Sequence, residues 1–307
     1  KRALIFRAGF AAGVGIFGVK IVTLQVESGL KCLTGALRVP KTEKPMQVRA
    51  KKALGQHFLT DLSIARRIAE TIDQYKGLPV VEVGPGMGVL TQFLLEAGHD
   101  VTVVELDEES VDYLRVNFPQ LEGRIVFDDF LKLDLRTIVG DRQFVVIGNY
   151  PYNISSQIFF KVLDYKDQVV CCSGMLQREV AQRLAAGPGS KAYGILSVLL
   201  QAWYDGEYLF TVDEHVFNPP PKVKSGVIRF TRNQVTELGC DEKLMRTVVK
   251  STFGQRRKQL RNSVKALVPK DSPVLGLPVM NMRPEQLSVR QFVELTNTIA
   301  ATRDNQP

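Results

Sequence analysis

Two hydrophobic rhythms divide this chain. Between Asp61 and Ile72, the residues Leu62, Ile64, Ala65, Ile68, Ala69 and Ile72 recur at helical spacing behind a capping aspartate. Short apolar runs then alternate with helical stretches. Pro79–Val83 reads as a buried strand entering the glycine-rich turn Gly84-Pro85-Gly86-Met87-Gly88, and Val89–Leu95 reads as the helix behind it. A second strand, Asp100–Val104, ends in Glu105-Leu106-Asp107, and a third, Arg124–Phe127, runs into Asp128-Asp129-Phe130. The run Phe144–Ile147 leads to Asn149-Tyr150-Pro151-Tyr152, and a helix is expected from Gln177 to Leu184. Past Phe230 the pattern turns helical, with Asp241–Phe253, Gln255–Asn262 and Val289–Ile299 as the expected helices.

Strands alternating with helices predict an α/β fold with a doubly wound, Rossmann-like sheet and a small α-helical C-terminal domain. The expected divisions are an N-terminal extension at 1–47, the nucleotide-binding domain at 48–232 and the helical domain at 233–307. The first segment is Gly-rich and nearly free of acids, and its longest uncharged run, Ala8–Val19, has 12 residues. That is short of the roughly 20 needed to span a bilayer. A targeting peptide and an interfacial anchor compete with the favoured reading, an upstream extension outside the native fold.

Charge and cysteines narrow the function classes. The 307 residues carry a formal net charge of +8, unevenly placed. Residues 1–47 hold eight basic and two acidic side chains, residues 48–232 hold 20 and 23, and residues 233–307 hold 12 and seven. Affinity for nucleic acid is therefore expected mainly from the C-terminal part. Cys32, Cys171, Cys172 and Cys240 lack CxxC spacing, and the three histidines are scattered. A reducing, cytoplasmic setting is expected, with no disulfide framework and no metal site.

The glycine turn points to a nucleotide but departs from the dinucleotide pattern G-x-G-x-x-G. Here the spacing is Gly84-x-Gly86-x-Gly88, with Glu82 inside the preceding strand. An added acid suits a cationic or amino-bearing ligand better than a diphosphate, and no G-x-x-x-x-G-K-[ST] phosphate loop is present. S-adenosyl-L-methionine fits best. Glu105, at the tip of the second strand, is placed for its ribose hydroxyls. Asp129 and the Phe130 backbone would take the adenine, with a solvated acidic turn as the competing reading of that strand end. At 149–152, an amide side chain, a backbone carbonyl and a ring would receive a planar base bearing an exocyclic amine. A proline-stabilised turn around a core tyrosine is the competing reading of that segment.

Taken in order, Gly55-Gln56-His57-Phe58-Leu59, Glu82–Gly88, Asn149–Ser155, Met175–Val180, Pro188–Leu200 and Val216–Val223 resemble the KsgA/Dim-type rRNA adenine dimethyltransferases. The resemblance runs collinearly from about Val48 to Ala300. It implies transfer of methyl groups from S-adenosylmethionine to N6 of two adjacent adenines near the 3′ end of 16S rRNA, within the assembling 30S subunit, by a monomer. By position, Gln56, His57 and Leu59 would lie against the methionine end of the cofactor. Gly84, Gly86 and their neighbours would hold its backbone, Glu105 and Leu106 the ribose, and Asp129 and Phe130 the adenine. Asn149 would border the cofactor and, with the Tyr150 carbonyl and Pro151, grip the target amine. Tyr152 and Phe217 would stack on the unstacked base. The family often has Asn at position 57 and Leu at position 150, so His57 and Tyr150 are departures.

For RNA docking, an amphipathic helix at 255–262 is expected to present Arg256, Arg257, Lys258 and Arg261 to phosphates. Three alternatives stay open on sequence. A 23S rRNA adenine methyltransferase of the macrolide-resistance type would use the same site, a non-catalytic assembly factor would retain the scaffold, and a nicotinamide oxidoreductase would share the fold but have no use for the 149–152 turn.

Overall fold

The computed structural model describes residues 48–51 and 54–304, so the N-terminal extension at 1–47 lies outside the described residues, as does Cys32. The chain enters through a two-residue strand, β1 (Phe58–Leu59), and α1 (Leu62–Glu70). As its spacing predicts, Asp61 caps α1, its carboxylate accepting from the Ser63 and Ile64 amides. Then β2 (Pro79–Val83), α2 (Thr91–Glu96), β3 (Asp100–Glu105), α3 (Glu108–Asn117), β4 (Ile125–Phe127), α4 (Arg136–Val139), β5 (Phe144–Asn149), α5 (Ser155–Asp164) and β6 (Val169–Gln177) follow in strict alternation. After α6 (Arg178–Ala185) and α7 (Ile195–Gln201), β7 (Tyr204–Val212), β8 (Phe217–Asn218) and β9 (Ser225–Arg232) complete the strands.

Seven strands form one sheet in the order β4-β3-β2-β5-β6-β9-β7, and β1 pairs with β8 in a separate two-stranded ribbon. β4, β3, β2, β5 and β6 are mutually parallel, whereas β9 runs antiparallel to both β6 and β7. The chain builds outward from β2 to β4 and then crosses back to place β5 on the other side of β2. That reversal opens a crevice at the carboxyl ends of β2 and β5, where ligands of such sheets bind.

Strand periodicity sends neighbours to opposite faces, and both faces are covered. Val80, Val145 and Cys171 join one core with α1 and α2, while Val81, Val146 and Cys172 join the other with α5 and α7. Each of these six side chains is fully buried, and a fully buried Val contributes about 1.5–3 kcal/mol. The adjacent cysteines act as small apolar residues, one per face, as their setting in an apolar run predicts.

The remaining helices are α8 (Glu242–Gly254), α9 (Leu260–Val264) and α10 (Val289–Asp304). Met245, Val248, Leu260, Phe292 and Ile299 belong to the same core as Val146 and Phe230. The element type changes at residue 233, but hydrophobic packing continues across it. The expected basic helix at 255–262 is not formed. Gln255–Gln259 is a turn, and α9 begins only at Leu260. The chain bends there because α8 ends at Gly254, and the Leu260 amide bonds to the Met282 carbonyl, directing Leu260 inward.

Candidate active site

A cleft of about 200 Å³ opens at the switch point between β2 and β5. Its wall draws on Gln56, His57 and Leu59, the Gly84–Met87 turn, Glu105 and Leu106, Asp129 and Phe130, and Asn149–Tyr152. Every cofactor position expected from sequence thus lines a single cavity. The expected catalytic set also meets there, except for Phe217.

The glycine turn is shaped by sterics. Gly86 has φ +55°, and a Cβ there would lie 2.9 Å from the Phe58 ring, so a side chain is excluded twice over. Its amide donates to Glu105 Oε2 at 3.0 Å. The Leu106 and Asp107 amides donate to Glu105 Oε1 at 2.8 and 2.9 Å. Burial pushes the Glu105 carboxyl up, and these three N–H groups oppose the shift. The carboxylate is therefore fixed at the end of β3, and with Oε1 accepting two amides and Oε2 one, Oε2 keeps acceptor capacity for a ribose hydroxyl.

Glu82 is a different kind of acid. It is 1 % exposed, it lines the cleft, and its Oε2 has no hydrogen-bond partner. Burial pushes its carboxyl up to about 8, with the nearby Thr91 hydroxyl pulling back and the Glu105 charge adding to the rise. An orphaned buried acceptor in a cavity wall is what a ligand carrying N–H donors would satisfy.

The 149–152 turn is anchored from both sides. Asn149 Nδ2 donates to the His57 carbonyl at 3.2 Å, and its Oδ1 accepts no hydrogen bond among the described residues. The Tyr150 ring lies under the sheet at 1 % exposure, and its hydroxyl donates to the Ser173 carbonyl at 2.6 Å. Gly174 makes room for it, because a Cβ there would stand 2.2 Å from the Gly148 carbonyl and 2.7 Å from the Tyr150 ring. With its ring committed below, Tyr150 offers the cleft only main chain. Tyr152 is half-buried, its hydroxyl bonded to Ser225, with the His57 ring 5.3 Å away and tilted by 33°. His57 Nδ1 meets the Pro219 carbonyl at 2.8 Å and, facing a group that only accepts, carries the proton.

Phe217 is not on the cleft wall. It pairs with Leu59 in the β1–β8 ribbon, is 4 % exposed and belongs to the α1-side core. Its spacing among prolines cannot distinguish a ring facing the cleft from one facing the core. Sequence reasoning also missed a clamp behind the cofactor residues. Lys51 pairs with Asp107 and Glu109, Gln56 Nε2 reaches Asp107 at 3.4 Å, and the Lys51 amide donates to Gln56 Oε1 at 2.8 Å. Gln56 therefore holds the entry segment to the end of β3. The one available signal was the acidic pair Asp107 and Glu109 facing the basic stretch before Gly55.

Of the expected RNA contacts, Arg257 and Lys258 are exposed on the turn before α9. Arg261 is exposed as well while donating to Asn281 Oδ1, whereas Arg256 is half-buried and donates to the Ser190 and Lys191 carbonyls. Arg256 thus ties the 187–191 loop to the C-terminal helices.

Residues 47–301 match the family model described as Ribosomal RNA adenine dimethylase. The chain is 74% identical over 249 residues to the Ribosomal RNA small subunit methyltransferase A of Parabacteroides distasonis, covering 81% of this chain and 93% of the relative. The protein of the same name from Porphyromonas gingivalis is 64% identical, with 82% and 98% covered. A dimethyladenosine transferase from Plasmodium falciparum shares the fold at TM-score 0.68 and 22% identity, over 80% of this chain and 98% of that one. The 23S rRNA methyltransferase ErmE superposes at TM-score 0.58 and 26% identity, over 79% and 99%. With the family match extending through the sheet and the C-terminal helices alike, the chain belongs to the ribosomal RNA adenine dimethylase family and is an S-adenosylmethionine-dependent methyltransferase.

Proposed function

We propose that this enzyme transfers methyl groups to N6 of two adjacent adenines near the 3′ end of 16S rRNA, acting as a monomer on the assembling 30S subunit in the cytoplasm. The observation that carries the reading is Asn149. Its Nδ2 is committed to the His57 carbonyl, so its Oδ1 is the atom presented to an incoming amine. The relatives named as small-subunit methyltransferases, at up to 74% identity, favour this substrate over 23S rRNA.

The residues present suit S-adenosylmethionine, which supplies an electrophilic methyl group when bound. Glu105 is held by three amides for the ribose, Asp129 and Phe130 flank the adenine position, and Gly86 lets the backbone approach closely. The adenine amine is a weak nucleophile because its lone pair is conjugated into the ring. Asn149 Oδ1 and the Tyr150 carbonyl accept its two N–H groups and favour the pyramidal, attacking form. Tyr152 supports the unstacked base, and such a stack contributes about 1–3 kcal/mol. Acceleration then rests on positioning rather than proton abstraction. Arg257 and Lys258 supply phosphate contacts.

Labelled S-adenosylmethionine offered with undermodified 30S or with 50S subunits tests the proposal. Label in the 30S RNA supports it. Label confined to 50S RNA supports the 23S alternative, and label in neither supports the non-catalytic one.

A further inference from the structure

The loop that leaves β4 carries Asp128, Asp129 and Asp134, and Asp164 ends α5. Like charges gathered in this way repel, and a half-buried ammonium on α5 is set among them. Lys161 Nζ donates to the Leu131 carbonyl at 3.2 Å and to the Leu133 carbonyl. It also stands 5.5 Å from the centre of the Phe130 ring and 5.8 Å from that of Tyr165, within cation–π reach of both. Burial lowers the Lys161 pKa, and the charges of Asp129, Asp134, Asp164 and Asp128 oppose that shift. Lys132 reaches Asp129 as well, at 3.4 Å, but it is exposed, and such pairs contribute little.

The two carbonyls that Lys161 holds belong to the residues that hold Asp129. The Leu131 N–H donates to Asp129 Oδ1 and the Leu133 N–H to the Asp129 carbonyl, each at 3.0 Å. Lys161 therefore braces, through one peptide on each path, the acid that lines the cleft, and it packs against the ring beside that acid. One helical turn further on, at the C-cap of α5, Tyr165 is a second brace for the same loop. Its hydroxyl donates to Asp134 Oδ1 at 2.8 Å and accepts from the Leu135 amide at 3.1 Å. The helix itself starts at Ser155, directly behind the 149–152 turn. A single helix thus follows the amine grip at one end and secures the adenine side from the other.

We infer that Lys161 is a positioning residue that sets the adenine-reading geometry of Asp129 and Phe130, and with it the preference of the cleft for an adenosyl ligand. The inference rests on the reading of Asp129 and Phe130 as the adenine site and deepens it. A carboxylate accepts from an exocyclic amine and repels an exocyclic carbonyl, so an aimed Asp129 tells the two apart. Without the ammonium, the Leu131 and Leu133 carbonyls lose their donor, the neighbouring acids repel, and Asp129 loses its aim. Glu105 is held by three amides of its own, so its grip on the ribose does not depend on Lys161.

Calorimetric titration of the full chain with S-adenosylhomocysteine and with S-inosylhomocysteine, which carries oxygen in place of the adenine 6-amino group, reads that preference. The wild type is expected to favour the adenosyl ligand by about tenfold or more, because a site built for an N–H donor rejects an analogue lacking it. Lys161→Met keeps an apolar stem against Phe130 and Tyr165 and removes the donors. Its adenosyl affinity is expected to fall about fivefold or more, while its inosyl affinity stays within about twofold of the wild type. Equal weakening of both ligands, or an unchanged ratio between them, would overturn the inference and leave Lys161 a purely structural side chain. Should Lys161→Met fail to fold, Lys161→Gln, which keeps a donor for one carbonyl, takes its place, with a reduced ratio expected and an unchanged one overturning. A wild type that binds both ligands equally would instead contradict the adenine reading of Asp129 and Phe130, and the inference would fall with it.

Discussion

The Asn149 side-chain amide donates to the main-chain carbonyl of His57 at 3.2 Å, joining segments 92 positions apart in sequence. This bond fixes which end of the amide faces the cleft. A carbonyl can only accept, so the NH₂ end is committed and the oxygen is left for the substrate.

Asn149→Ala removes that oxygen while leaving Glu105, Gly86 and Asp129 in place. Methyl transfer is expected to fall by about 10²–10³ or more, in line with loss of an oriented polar group acting on the transition state. The Kd for S-adenosylmethionine should stay within a few fold. Single-turnover rates and calorimetry separate the two effects.

Tyr150→Phe keeps the ring beneath the sheet but strips the Ser173 carbonyl of its 2.6 Å donor. The expected cost is about 1–3 kcal/mol of stability. A urea midpoint shift without a change in cofactor affinity would match, because Tyr150 presents only main chain to the cleft.

Gly86→Ala places a methyl 2.9 Å from the Phe58 ring at φ +55°. Relieving the clash moves either the turn or β1, and both border the cofactor site. Cofactor affinity should drop by about tenfold or more, alongside a stability loss exceeding about 1 kcal/mol. Thermal unfolding with and without ligand measures both.

His99 gives the fold a pH signature independent of catalysis. It is 5 % exposed, and neither ring nitrogen is hydrogen-bonded. Burial holds its pKa below 6.5, with Asp73 partly opposing. The unfolded chain therefore takes up a proton near pH 6.5 while the folded chain resists it, so stability falls as pH drops through 6.5 towards the lower folded value. His99→Gln should flatten this slope, which urea midpoints between pH 8 and pH 5.5 would reveal.

The sheet and cofactor cleft were legible because their determinants are local. Apolar runs, a glycine turn and acids at strand ends each announce themselves within a few residues. Tertiary packing decided the rest. Phe217 faces the core through its pairing with Leu59, a partner 158 positions away that no local pattern names. Arg256 had the right charge for RNA, but its guanidinium was claimed by carbonyls 65 and 66 positions upstream. The helical spacing at 255–262 was present in sequence but yielded to the end of α8 at Gly254. Asp107 joined Lys51 and Gln56 only once β3 and the entry segment met.

That division carries into RNA binding. Arg257→Ala or Lys258→Ala should weaken rRNA binding and lower the salt slope by about 0.7–0.9 per lost contact. Arg256→Ala is expected instead to loosen the 187–191 loop. Filter binding across a salt series, paired with limited proteolysis, distinguishes a phosphate contact from a loop tether.

The most direct test of the account is mass spectrometry of 16S rRNA, digested after reaction of the purified enzyme with undermodified 30S subunits and S-adenosylmethionine. The wild type is expected to give N6,N6-dimethyladenosine at two adjacent positions near the 3′ end, at a rate cut by about 10²–10³ when Asn149→Ala replaces it. Methylation at a different base or at an unrelated site, or undiminished dimethylation by Asn149→Ala, would contradict the account.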